Sequence, residues 1–254
     1  GQYGMVVLSK YPIQADDVES FREALWKNKR GNSIPQDYYS PTALSRLRLS
    51  SKTHVNVPVS IRLKRLDLMI SHPTPPVFDG PEDRNGRRNF DEIGLWYTYF
   101  TNNFPSKAPS VFPRVDGKDE VGALSLSEDR PPFIVMGDLN ADPNDGESRP
   151  GAVQQLLHSP FVNSNITPTS KGAVEATQQQ AGKNLNHRSD SAADTADFGD
   201  NDRGPGNLRV DYVLPSIELN VVGSGVYWPT RYDPHAYLNE ASDHKLVWVD
   251  IKLP

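Results

Sequence analysis

Phe133-Ile134-Val135-Met136-Gly137-Asp138-Leu139-Asn140-Ala141-Asp142-Pro143 is the stretch on which the fold turns. Four apolar residues in a row, too few for a helix and stopped by Gly and Pro, predict a short buried strand. Asp138 then stands just past the strand end, with Asn140 two positions on. On extended backbone that spacing points a carboxylate and a carboxamide the same way. Three other segments repeat the theme of an Asp or His at a strand end. They are Ser71-His72-Pro73, Arg209-Val210-Asp211-Tyr212-Val213 and Ser242-Asp243-His244.

The strands around these segments follow from alternation. Val55, Val57, Val59, Ile61 and Leu63 alternate with His54, Asn56, Pro58, Ser60 and Arg62, which predicts a strand over 53–63. Pro58 places it near an edge or at a bulge. Residues 66–71 follow closely enough to predict an antiparallel hairpin. Closing strands are expected at 208–214, 219–226 and 245–253, and a buried first strand at 3–8. A short helix is expected over 18–27. Asn89 followed by Glu92, before Ile93, Trp96, Tyr97 and Phe100, predicts a helix starting at Asn89 with a capping box. Residues 151–158 suggest a short helix, and 163–207 a long polar surface insertion with one short helix. Strands with helices between them make the class α/β or α+β.

Composition narrows the rest. The 254 residues carry a net charge of −5, 36% apolar residues, 18 Gly and 22 Pro. That suits one domain with a true core and long polar loops. No run approaches the roughly 20 apolar residues of a membrane span. Net acidity argues against a protein that grips duplex DNA through many phosphates. With no cysteine, disulfides, thiolate zinc sites and thiol nucleophiles are excluded. The compartment stays open, with a secreted or periplasmic setting favoured, as does the oligomeric state. Among further polar residues, Asp194, Asp197, Asp200 and Asp202 read as a solvated acidic loop.

The four strand-end segments, in this order, resemble the endonuclease/exonuclease/phosphatase superfamily, and His72 to Asn89 resembles a bacterial branch of it. The resemblance implies a four-layered α/β/β/α sandwich of two mixed β-sheets over 1–254, lacking its first strands. It implies metal-dependent attack of water on a phosphate ester. The alternatives are a nuclease on DNA or RNA and a catalytically dead binding module. Asp138 is expected to orient or deprotonate the water. Asn140 is expected to bind the water, the phosphate or the metal, and Asp243 to bind metal. His244 is expected to stabilise the phosphoryl oxygens, oriented by Asp211, with His72 helping. Arg87 and Arg88 are candidate phosphate binders because guanidinium matches phosphate bidentately. Mg²⁺ or Mn²⁺ is the implied cofactor, since the chain offers hard oxygen donors. The family's metal-binding Glu and Asn have no counterpart in this chain, so the chain alone is expected to be a poor enzyme.

Overall fold

The computed structural model describes residues 3–62, 64–102, 131–199 and 204–252. Its strands in chain order are β1 (Glu19–Ser20), β2 (His54–Ile61), β3 (Lys64–Ser71), β4 (Phe133–Asp138), β5 (Ala196–Asp197), β6 (Asn207–Leu208), β7 (Asp211–Pro215), β8 (Asn220–Tyr227) and β9 (Leu246–Lys252). The α-helices are α1 (Pro41–Arg46), α2 (Arg84–Asn102), α3 (Gln154–Leu157) and α4 (Lys171–Gln180). A mixed five-stranded sheet runs β1-β2-β3-β4-β7, with only β3 and β4 parallel. β8 and β9 form an antiparallel pair, and so do β5 and β6.

The β2–β3 hairpin keeps register over its whole length, from His54 opposite Ser71 to Ile61 opposite Lys64. Pro58 causes no bulge. Its carbonyl accepts from Gln14 N at 2.9 Å on the outer edge, so its missing N–H falls on the side away from β3. Leu63 and Leu253, expected at strand ends, lie outside the described residues.

The apolar run of β4 is explained by burial on both faces. Phe133 and Val135 pack with Met69, Ile93, Trp96, Phe100, Tyr212 and Leu214 on the side of α2. Ile134 packs with Val59, Ile61, Leu66 and Leu219, with Met136, Val213 and Ile251 alongside. Ile251 belongs to β9, so the second face of the large sheet meets the β8–β9 pair. The alternation of β7 follows: Tyr212 and Leu214 turn to the helix, Val213 to β9.

Several expectations are corrected. Residues 4–9 form no strand, and Val6 and Leu8 are 79% and 90% exposed. The edge of β2 is taken instead by Glu19–Ser20 and by a bridge from Ile13 to Val59. The helix expected over 18–27 is replaced by β1 and a single 3₁₀ turn at Trp26–Asn28. Trp26 is drawn into the core, where its indole N–H donates to Asp91 at 2.7 Å. α2 starts at Arg84, five residues before the expected capping box. Its first turn is capped from Asp79, whose carboxylate accepts from Asn85 N at 2.6 Å. Residues 163–207 carry the one short helix expected there and more order besides. They form α4, two 3₁₀ turns and β5, and they bury Ala173, Ala193, Asp194, Thr195 and Ala196. Asp194 is thus no solvated acid, while Asp200 and Asp202 lie outside the described residues.

Asp91 shows what holds the helix layer. It is fully buried and accepts from Trp26 Nε1, Ser33 N and Ser33 Oγ at 2.7, 2.7 and 2.9 Å. Lys29 Nζ lies 3.0 Å from its other oxygen, near enough to pair charges though outside hydrogen-bond alignment. Lys29 is itself only 5% exposed. Removing one partner of such a pair strands the other charge. Asp91→Ala is therefore expected to lower unfolding free energy by about 3–5 kcal/mol in chemical denaturation. A loss under about 1 kcal/mol would mean that Lys29 reaches water unaided.

Candidate functional site

The site grows from one register. β4 and β7 are antiparallel, with Asp138 directly opposite Asp211. Gly137, before Asp138, has φ +137°, and a Cβ there would sit 2.0 Å from the Ser71 carbonyl oxygen. Only glycine lets β4 pass so close to the end of β3. Beyond Asp138 the chain turns at Asn140, whose φ is +51°, a conformation Asn tolerates well. Asn140 N donates to Asp138 Oδ1 at 2.8 Å, and its side-chain amide donates to Asp138 Oδ2 at 3.1 Å and Pro73 O at 3.2 Å.

Two imidazoles close on this carboxylate. His72, at the end of β3, brings Nε2 to 3.1 Å from Asp138 Oδ2. His244, just before β9, brings Nε2 to 3.9 Å from the same oxygen. The other ring nitrogen of His244 lies 2.8 Å from Asp211 Oδ2. That bond fixes the ring with its Nδ1–H toward Asp211 and Nε2 toward Asp138. Thr195 completes the pair. Its hydroxyl donates to Asp211 Oδ2 at 2.9 Å and accepts from Val210 N and Asp211 N at 3.0 and 2.9 Å. β5 also bridges to the His244 strand through Ala196. The side chains of His72, Asp138, Asp211 and His244 are 22, 15, 18 and 30% exposed, sheltered yet reachable.

The hydrogen bond that His244 donates to Asp211, with the charges of Asp211 and Asp138, raises the His244 pKa to about 9 against the opposing effect of burial. Burial pushes Asp211 upward, and the His244 and Thr195 hydrogen bonds pull against it. The pair therefore holds its proton on His244 across neutral pH. Lys52, which donates to Pro73 O at 3.1 Å, is lowered by desolvation against the attraction of Glu92 and Asp138.

Not every expected residue joins the cluster. Asp138, Asp211 and His244 have ligand atoms within 4.8 Å of one another. Asp243 is exposed beside His244, and its main-chain carbonyl accepts from Asp197 N at 2.8 Å. Arg87 and Arg88 are spent elsewhere. Arg87 donates to Glu82 O and Ser33 O at 2.9 and 3.2 Å. Arg88 donates to Arg48 O at 3.0 Å and lies 4.9 Å over the Trp26 ring. The missed residue is Thr195. Its only sequence signal is a run of small residues, Ala192-Ala193-Asp194-Thr195-Ala196, inside a polar stretch.

Which residues fit a metal follows from donor chemistry. The bond to Asp211 uses His244 Nδ1 and Asp211 Oδ2, and a protonated ring offers no lone pair. The hard donors left in the cluster are the Asp138 carboxylate and the Asn140 carbonyl oxygen, of the kind an oxygen-liganded divalent cation takes, while Asp243 stands outside it.

The endonuclease/exonuclease/phosphatase family model matches residues 1–244. The chain belongs to this family. No curated protein matches it. Among solved structures it is similar to an endonuclease/exonuclease/phosphatase family protein from Leptotrichia buccalis, at 15% identity and TM-score 0.43 over 96% of this chain and 64% of that one. It is similar to the human Nocturnin catalytic domain with bound sulfate, at 13% identity and TM-score 0.44 over 95% and 60%. It is similar to the 3′ phosphatase NExo from Neisseria bound to a product DNA hairpin, at 12% identity and TM-score 0.42 over 96% and 73%. The chain thus spans under two thirds of the first two. Membership establishes a phosphoesterase or nuclease enzyme family, and leaves the substrate open. Among the described residues no helix is long and apolar enough to cross a membrane.

The His244–Asp211 bond makes a testable demand. NMR titration is expected to place His244 near pH 9, and Asp211→Asn to return it toward the ordinary 6.5. The sign follows. Because the folded pKa is raised, the stability from this pair is full below about pH 6.5 and lost as pH rises through about 9. A His244 that titrates at 6.5 in the unaltered protein would contradict the pairing.

Proposed function

We propose that this chain hydrolyses a phosphate ester by attack of water on phosphorus. The observation that carries this is the Asp138 carboxylate set between two imidazoles, one of them held charged by the half-buried Asp211 carboxylate. An anionic phosphoryl group repels its nucleophile, and the site answers with one charged imidazole, a second imidazole and a base.

Each residue then has a task. His244 donates from Nε2 to a non-bridging phosphoryl oxygen, and that bond strengthens as charge builds in the transition state. Asp211 holds the ring in the required tautomer and keeps it protonated, with Thr195 fixing Asp211. His72 donates to a second oxygen. Asp138, once the substrate draws the imidazoles away, accepts the proton of the attacking water. Asn140 orients that water or the phosphate through its amide. A divalent cation such as Mg²⁺ or Mn²⁺ would be held by Asp138 and Asn140, with Asp243 joining only if its carboxylate turns inward, and would supply charge neutralisation at the phosphoryl oxygens. Arg87 and Arg88 are given no task in this reading, because the bonds they make run to Glu82, Ser33 and Arg48.

The net charge of −5 favours a small phosphate monoester or diester over duplex DNA. The same chemistry on a DNA or RNA diester is the second reading, and turnover of a DNA or RNA oligonucleotide beside the small diester separates the two. With Mg²⁺ or Mn²⁺ present, the protein is expected to cleave bis(p-nitrophenyl) phosphate. Asp138→Asn and His244→Ala are each expected to lower kcat by about 10²–10⁴-fold. Variants that stay within about threefold of the parent protein would remove these residues from the chemistry.

A further inference from the structure

The Asn89-x-x-Glu92 spacing reads as a helix start, yet both residues lie inside α2 and are fully buried. We propose that Asn89, seconded by Glu92 one turn later, is a positioning residue that locks the His72 loop to the Asp138 loop. The proposal deepens the phosphoesterase reading and rests on it for its kinetic consequences.

The side-chain nitrogen of Asn89 reaches carbonyls from both loops at once. It donates to Thr74 O at 2.9 Å, in the loop that follows β3. It donates to Leu139 O at 2.9 Å and, more weakly, to Asn140 O at 3.3 Å, in the loop that follows β4. Glu92 takes Thr74 from its other end, accepting from Thr74 N at 2.5 Å. Its second oxygen accepts from Ser51 N and Ser51 Oγ at 2.7 and 3.0 Å. The peptide of Thr74 is therefore gripped by the helix at both its N–H and its C=O.

The gripped atoms are adjacent to the chemistry. Thr74 stands two residues after His72, and Leu139 directly follows Asp138. β3 and β4 are parallel neighbours whose paired stretch ends at Ile70 opposite Met136. Past that point no ladder holds the two loops in register. The contact of His72 Nε2 with Asp138 Oδ2 at 3.1 Å depends on whatever does. Asn89 is that link, together with Asn140 reaching Pro73 O.

The chemistry of the link needs an amide. Three acceptors converge on the position, so it must offer two N–H groups and no negative charge. Asp would face carbonyls with a carboxylate, and Leu would leave them bare. The arrangement is also not one of simple polar satisfaction. Asn89 Oδ1 is buried with no hydrogen-bond partner among the described residues. Buried polar groups are rarely left so, and the placement favours the two loops at the expense of the amide's own acceptor.

The test uses the full chain, with bis(p-nitrophenyl) phosphate and Mn²⁺ for kinetics and amide hydrogen exchange by NMR for the loops. Misplacing a reacting group by about 1 Å costs about 10²-fold, so Asn89→Ala is expected to lower kcat by about that factor with KM within about twofold. Amide exchange at Thr74 and Asn140 is expected to quicken together, while the β2–β3 ladder stays protected. Asn89→Gln, which keeps the donors on a longer arm, is expected to recover at least about a tenth of the parent kcat. An Ala variant with unchanged kcat and unchanged loop exchange overturns the proposal. So does a loss shared equally by Ala and Gln with exchange raised throughout the protein, since that marks a purely structural role. If Asn89→Ala does not fold, Asn89→Ser is read in the same way. If the parent protein leaves the diester intact, the phosphoesterase reading fails on its own, and the exchange data still decide whether Asn89 couples the two loops.

Discussion

Two carboxylates placed face to face by a β-sheet register are the constraint on which the site rests. Asp138 and Asp211 pair across β4 and β7. Like charges directly opposite one another on a sheet are destabilising. At the spacing of this cluster, two full charges repel by about 3–4 kcal/mol in a medium of effective dielectric about 20. The chain keeps both acids by bringing imidazoles to them. His244 is inserted with one nitrogen on Asp211 and the other facing Asp138, and His72 covers Asp138 from β3. The raised pKa of His244 is the reverse side of that compensation.

The same constraint explains why distant parts of the chain are packed as they are. His244 reaches Asp211 only because β9 stacks on the face of the large sheet to which Asp211 and Val213 turn. Thr195 reaches it because residues 163–207 fold back as β5 between β7 and the start of β9. Lys245 N donates to Thr195 O at 2.7 Å, and Thr195 N donates to Leu208 O at 2.9 Å. A polar connection thus becomes a wall of the site. Gly137 and Asn140 are backbone solutions to the same problem: one lets β4 pass the Ser71 carbonyl, the other turns the chain beneath Asp138.

Much of this was legible in the residues. The alternation of 53–63 marks β2, the four-residue apolar run marks β4, and Asp138, Asn140, Asp211, His244 and His72 stand out as polar groups at strand ends. Short-range pattern suffices there because a sheet buried on both faces dictates its own periodicity. What stayed hidden depends on long-range contacts. Thr195 carries no local pattern, since its role comes from Asp211 sixteen positions later. Arg87 and Arg88 look like phosphate binders because a free guanidinium and one bound to a distant carbonyl are alike in sequence. Asn89 and Glu92 imitate a capping box because the residue types that satisfy a helix N-terminus also satisfy loop peptides. Trp26 gave a helical spacing to a segment that enters the core by one turn and an indole hydrogen bond to Asp91.

The proposed reaction has water as its nucleophile and phosphorus as its target. The most direct measurement is hydrolysis of a phosphodiester in ¹⁸O-labelled water under single-turnover conditions, with the products weighed by mass spectrometry. One ¹⁸O atom in the phosphate product and none in the released alcohol is the expected result. Label in the alcohol, or a phosphate product free of label, would contradict attack of water at phosphorus in this site.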